Sequence, residues 1–186
     1  MIDAGSRRTY SRFCASSRSY LTARRRRQGY GGVVVGFGPV SEVGVPTDVT
    51  VARSDGSVET VEIVLVEDYS DPIFPVGVRL SSSAFGDFQG WSLDYFEALR
   101  QVRRDLDHLG VLVLVNGARV DAWPSGLQSQ QKGGRGLYLT GSPDALERGQ
   151  VRLLDPAELS EVGTVQEQDI AHERWVNRLE RDYRKP

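Results

Sequence analysis

The feature that most constrains this chain is an apolar stripe: Leu93, Phe96, Leu99, Val102, Leu106 and Leu109 recur three or four residues apart. At about 3.6 residues per turn they share one side of a helix, and such a helix must lay that side on another layer of structure. The flanks agree with a helix over Leu93 to Leu109. Ser92 reads as its N-cap, Trp91 before it as the staple that packs on Phe96, and Gly110 as the left-handed close. The opposite side, with Glu97, Arg100, Arg103, Arg104 and Asp107, reads as a solvated face supported by pairs such as Arg103 with Asp107.

The layer for this helix to cover is supplied by period-two segments. Val49 and Val51 alternate with polar residues, Ser54-Asp55-Gly56-Ser57 has turn chemistry, and Val58 to Ile63 alternate again, which predicts a β-hairpin. After a break at Glu67 to Pro72, Val76, Val78 and Leu80 predict a third strand. Val111 to Val115 is apolar on both faces and reads as a central strand, and Asn116-Gly117 turns the chain. Arg119 to Trp123 and Gly136 to Thr140 can pair as a second hairpin, joined by a loop from Pro124 to Arg135. A short helix is expected between Ser142-Pro143 and Gly149, followed by an apolar stretch from Val151 to Leu154. Asp155 with Glu158 and Thr164 with Glu167 have capping-box spacing, so two helices are expected from about residue 155, the second running to about Tyr183. On that second helix Ala171, Trp175, Leu179 and Tyr183 form a stripe expected to dock on the body. The fold class is α+β: an antiparallel sheet of a three-strand meander, a central strand and a C-terminal hairpin, packed by one long amphipathic helix.

Residues 1–44 differ in kind. Met1 to Gly32 hold eight arginines against Asp3 alone, with no helical or strand period, so they lack the apolar surface to offset ordering entropy and read as a basic disordered arm. Arg7-Arg8 resembles the start of an export signal, but Cys14 to Arg27 supply serines and arginines where an apolar segment is required. The arm reads instead as a solvated appendage, or as upstream sequence translated from an early start codon. Arg24 to Arg27 are suited to phosphate contacts, which makes nucleic acid a candidate partner. Glycines at 29–38 fail the dinucleotide pattern, because no strand precedes them and no helix follows. With a net charge of −2 overall, the +7 of Met1 to Gly32 leaves −9 for the rest. Residues 45–186 are expected to form a single acidic domain.

The lone cysteine, Cys14, excludes an internal disulfide framework and a cysteine metal cluster, and the absence of a long apolar run excludes a spanning helix. The expected setting is the reducing cytoplasm, with no membrane partner. The stretch from Trp123 to Gly136 is the strongest candidate for binding. Its glycines, Gly133 and Gly134, allow close backbone approach, Lys132 and Arg135 supply charge, Gln128 supplies a hydrogen-bonding fork, and Trp123 and Ser125 border them. It opens no helix and matches no phosphate-loop sequence. Ser125 lacks a nucleophile elbow, and the histidines, His108 and His172, fall on predicted helices. His172-Glu173 lacks the second histidine of a zinc helix. Glu67, Asp68 and Asp71 at a strand end, and Asp121 near Trp123, are the carboxylates available for acid–base work, although acids at strand ends more often form turns. No catalytic residue, metal ligand or cofactor is expected.

Asn116-Gly117-Ala118-Arg119-Val120-Asp121-Ala122-Trp123-Pro124-Ser125-Gly126, then Gly133-Gly134, Tyr138, Thr164-Val165-Gln166-Glu167-Gln168 and Glu173-Arg174-Trp175, resemble a set of small uncharacterised actinobacterial proteins. The resemblance spans roughly Val45 to Leu179 and implies a domain boundary but no activity. The leading expectation is a non-enzymatic protein-binding module, immunity-type or accessory, whose acidic body meets a basic protein partner. A phosphate-ligand or nucleic-acid module using Lys132 to Arg135 is the alternative, and a small hydrolase with an unrecognised site is third.

Overall fold

The computed structural model describes residues 41–42, 45–68, 71, 73–141 and 149–183, which belong to one compact unit spanning residues 37–186. The expected disordered arm falls almost wholly outside them. Within it, strand β1 (Ser41–Glu42) already pairs with Val66 and Glu67, so the sheet begins ahead of Val45.

The larger sheet is antiparallel throughout. β2 (Thr47–Arg53), β3 (Val58–Glu67), β4 (Val76–Ser82), β5 (Gly86–Ser92) and β6 (Val111–Val113) lie in the order β5-β4-β3-β2-β6. The β2–β3 turn forms as expected, with Gly56 at φ 85° and the Asp55 carboxylate accepting from the Ser57 N–H and hydroxyl. Every second residue faces one side, which places Val49, Val51, Val61, Ile63, Val78 and Leu80 in the core. The other side carries a smaller cluster of Val64, Val66 and Trp91, with Phe74 against it.

Helix α1 (Tyr95–Asp107) begins later than the sequence suggests. Its N-cap is Asp94, whose carboxylate accepts from the Glu97 N–H at 2.8 Å, because Trp91 and Ser92 belong to β5. Phe96, Leu99, Val102 and Leu106 are buried, each worth about 1.5–3 kcal/mol of transfer free energy. Leu93 and Leu109, at 61% and 54% exposure, stand beyond the helix ends and outside the stripe. The expectation of a solvated opposite face fails at two residues. Arg100 is 5% exposed and Arg103 2%, because the segment after β6 and the C-terminal helix fold over that side.

β6 ends the larger sheet beside β2, and its continuation is covered from the other side. Val115 bridges Pro156, while Asn116 and Gly117 donate N–H to the carbonyls of Asp155 and Leu153. That pairing takes up the backbone at Asp155 and Pro156, so the first expected capping-box helix does not form. A 3-10 turn (Asn116–Ala118) leads to β7 (Ala122–Trp123), which pairs with β8 (Gly136–Leu139), and β9 (Val151–Arg152) completes a three-stranded sheet. The short helix expected before Gly149 lies outside the described residues.

Between β7 and β8 the expected loop is a helix, α2 (Gly126–Lys132). The second capping box forms as expected: Thr164 and Glu167 exchange bonds at 2.8 and 3.2 Å and open α3 (Val165–Tyr183). The Asp107 carboxylate, expected to pair with Arg103, accepts from the Val165 N–H at 2.9 Å. Among the described residues no helix is long and apolar enough to cross a membrane.

Candidate functional site

The residues singled out between Trp123 and Arg135 are used mainly to build α2 and its attachments. Ser125 is the N-cap, its hydroxyl accepting from the Gln128 N–H at 3.2 Å. Gly133 is the left-handed C-cap at φ 60°. The N–H groups of Gly133 and Gly134 both donate to the Gln128 carbonyl, and that of Arg135 donates to Lys132. A phosphate-cradling nest needs free N–H groups, and these three are spent inside the turn. Gly133 also lies against the Tyr95 ring and accepts from the Tyr95 N–H at 2.8 Å, while Gly134 lies against Asp94. Gln128 is 4% exposed, so it faces the interior. Lys132 is exposed.

Arg135 reaches the other way. Its guanidinium lies 4.6 Å over the Tyr95 ring and donates to the Tyr95 hydroxyl at 3.0 Å. That hydroxyl in turn donates to Glu67 at 2.8 Å. Burial pushes the Tyr95 hydroxyl up to about 12, against the pull of Arg135. Beyond Glu67, Asp71 serves the turn: its carboxylate accepts from the N–H groups of Ile73 and Phe74.

Trp123 joins a different group. His172 of α3 stacks on it at 3.8 Å and 7°, Phe96 meets it edge-on at 5.1 Å, and the Arg100 guanidinium lies 4.9 Å over the ring. Arg100 also pairs with Glu97 and Asp169. Burial, with Arg100 adding to it, holds His172 down to about 4, so the imidazole is neutral at pH 7 and stacks without a charge. One helical turn along each helix, Arg103 donates to the carbonyls of Gly117, Ala118 and Gly163 at 2.9, 3.4 and 2.7 Å, and to Gln168 Oε1 at 2.7 Å. Gln168 answers by donating to the carbonyls of Arg119 and Ala122. These two groups, with the Asp107 bond to Val165, fasten α3 to α1 and β7.

Three of the catalytic candidates are therefore occupied, and the fourth stands apart from them. Ser125 caps a helix, Asp121 is gripped by Arg119 at 2.9 and 3.1 Å, His172 is stacked on Trp123, and His108 is the exposed C-cap of α1. Among the described residues no three His, Cys, Asp or Glu side chains group closely enough to hold a metal ion. A cavity of about 220 Å³ opens between Ser54, Asp107, Gly110, Leu112, Leu159 and Thr164, but its one carboxylate is Asp107, already bound to α3.

An open strand edge lies on β5, the end strand of the larger sheet. Its outer edge is met at Trp91 by the Gln101 amide, which accepts the Trp91 N–H at 3.2 Å and donates to the Trp91 carbonyl at 2.7 Å, as a neighbouring strand would. Asp87 and Gln89, farther back along the same strand, are exposed. Compared with known proteins, the chain matches no family model and no curated protein sequence.

Proposed function

We propose that this chain is a non-enzymatic protein-binding module, immunity-type or accessory, that presents an acidic surface to a basic partner. The observation that carries the reading is the charge of the body. The residues after Gly32 sum to −9, and Arg103, counted in that sum, is 2% exposed and bound to neutral acceptors. Arg103 is therefore not among the cations a partner can touch, while the net negative charge of the body still acts at a distance. Complementary fields of that kind speed and orient association. The occupied state of Ser125, Asp121 and His172 supports a binding role over hydrolysis.

Isolation of the tagged chain from its own host should yield a protein with a basic contact surface. The association rate should fall about tenfold or more between about 50 and about 300 mM salt. Recovery of no protein partner, or a rate indifferent to salt, would remove the reading. Within the stretch from Trp123 to Gly136, the phosphate or nucleic-acid alternative rests on the side chains of Lys132 and Arg135, since the neighbouring backbone donors are spent. Double substitution of these two by alanine, leaving nucleic-acid affinity unchanged, would dispose of it.

A further inference from the structure

We infer that the open edge of β5, at Asp87 to Gln89, is the surface on which the partner docks, by adding an extended basic segment as a further strand. The inference rests on the protein-binding reading and names its site. In an antiparallel pair, alternate residues turn their N–H and C=O toward the neighbouring strand and away from it. The Gln101 bonds show that Trp91, opposite Gly77, turns both groups away from β4. Counting back by two, Gln89 opposite Arg79 and Asp87 opposite Ser81 do the same, while Gly90 and Phe88 face Val78 and Leu80. Among the described residues the outward groups of Gln89 and Asp87 have no backbone partner.

The opening is short and has defined ends. Gln101 stops it at Trp91, and Gly86, left-handed at φ 91°, stops it at the other end. A segment of about three residues fills it with main-chain hydrogen bonds, and its alternate side chains lie over the two faces of the sheet. Asp87 sits in the opening, exposed and without an ion pair among the described residues, so the cross-strand partner it favours is lysine or arginine. That agrees with the sign of the body. A second copy pairing edge to edge is the other occupant, but it would bring the Asp87 carboxylates of the two copies close together, a like-charge pairing that a basic segment avoids.

The test uses the full chain and a short acetylated peptide of alternating lysine and valine, followed by amide hydrogen exchange. In the free chain Asp87 and Gln89 should exchange fast, and Phe88 and Gly90 slowly. The peptide should slow Asp87 and Gln89 by about tenfold or more, and a glutamate–valine peptide should not. Gln89→Pro deletes an N–H that is unpaired in the free chain, so it should abolish the effect while the free chain stays folded. Asp87→Lys should exchange the preference for the two peptides, and it answers the question even if the proline variant fails to fold. Protection of Asp87 and Gln89 in the free chain together with a dimeric mass would assign the edge to a second copy and overturn the inference. So would shifts confined to Lys132–Arg135, or none. A natural partner that binds Gln89→Pro as well as the wild type would sink the edge site while leaving the acidic-surface reading standing.

Discussion

Arg103 occupies a position that its sequence context disguises. It stands in a row with Glu97, Arg100, Arg104 and Asp107, a pattern that ordinarily marks a solvated face, and nothing local distinguishes it. What buries it is the arrival of Gly163 and Gln168 from some sixty residues away. Burial lowers its guanidinium to about 10, against the support of Asp107, so it stays charged at pH 7. Removing one partner of a buried polar network leaves the others unpaired, which costs more than the network contributed. Arg103→Ala should therefore lose about 3–5 kcal/mol in urea unfolding, and Gln168→Leu about 1–3 kcal/mol. A loss within experimental error for Arg103→Ala would mean that the carbonyls find water instead.

His172 gives the second prediction at this scale. Its folded pKa of about 4 lies below the ordinary 6.5, with burial the first cause and Arg100 the second, opposed by Asp169. Above pH 6.5 it is neutral folded or unfolded, and it adds no pH dependence. As pH falls from 6.5 toward 4 the unfolded chain takes up a proton that the folded chain refuses, so stability is lost across that window and the loss levels off below it. His172→Phe keeps a ring on Trp123 and removes the proton site. Its melting temperature should fall less than that of the wild type between pH 6.5 and 5, and parallel curves would show that His172 is more open to water than the stack implies.

At the scale of elements, legibility followed how local the determining forces are. The stripe at Phe96, Leu99, Val102 and Leu106, the Asp55-Gly56 turn and the Thr164–Glu167 box depend on near neighbours, and each forms where the sequence places it. β5 reads Gly86-Asp87-Phe88-Gln89-Gly90-Trp91-Ser92 and shows no apolar alternation, because α1 lies directly on its backbone in place of side chains. A Cβ at Gly90 would come 2.1 Å from the Ala98 carbonyl oxygen. Gly90→Ala should accordingly cost about 3 kcal/mol or more, and a cost below about 1 kcal/mol in urea unfolding would mean that α1 can lift away. For α2 both caps, Ser125 and Gly133, were present in the sequence, but seven residues with Leu127 as their one apolar side chain carry no apolar period to announce a helix. Ser125→Ala should cost about 1 kcal/mol, with calorimetry deciding.

For the whole molecule the question is whether α3 folds with the body or merely leans on it. Its stripe was expected to dock, and docking is graded along the helix: Val165 and Gln168 are buried, Ala171, His172 and Trp175 half-buried, and Leu179 is 37% exposed. The anchoring contacts all lie in the first three turns, at the Asp107 bond to Val165, the Arg103–Gln168 network and the Trp123 stack. Opening that half of α3 would strip the acceptor from Arg103 and leave carbonyls of the 3-10 turn unpaired, and the turn in turn holds the Leu153 to Asp155 segment beside β6. The cost of each opening falls on the next element, which is the physical content of cooperativity. Native-state hydrogen exchange should therefore show the helix amides near Gln168 to His172 opening with the same free energy as the centre of β3. Those beyond Leu179 should exchange by fraying. If the Gln168 region opened well below the global free energy, α3 would be an independent unit and the Arg103 network would be bridging two folding units instead of completing one.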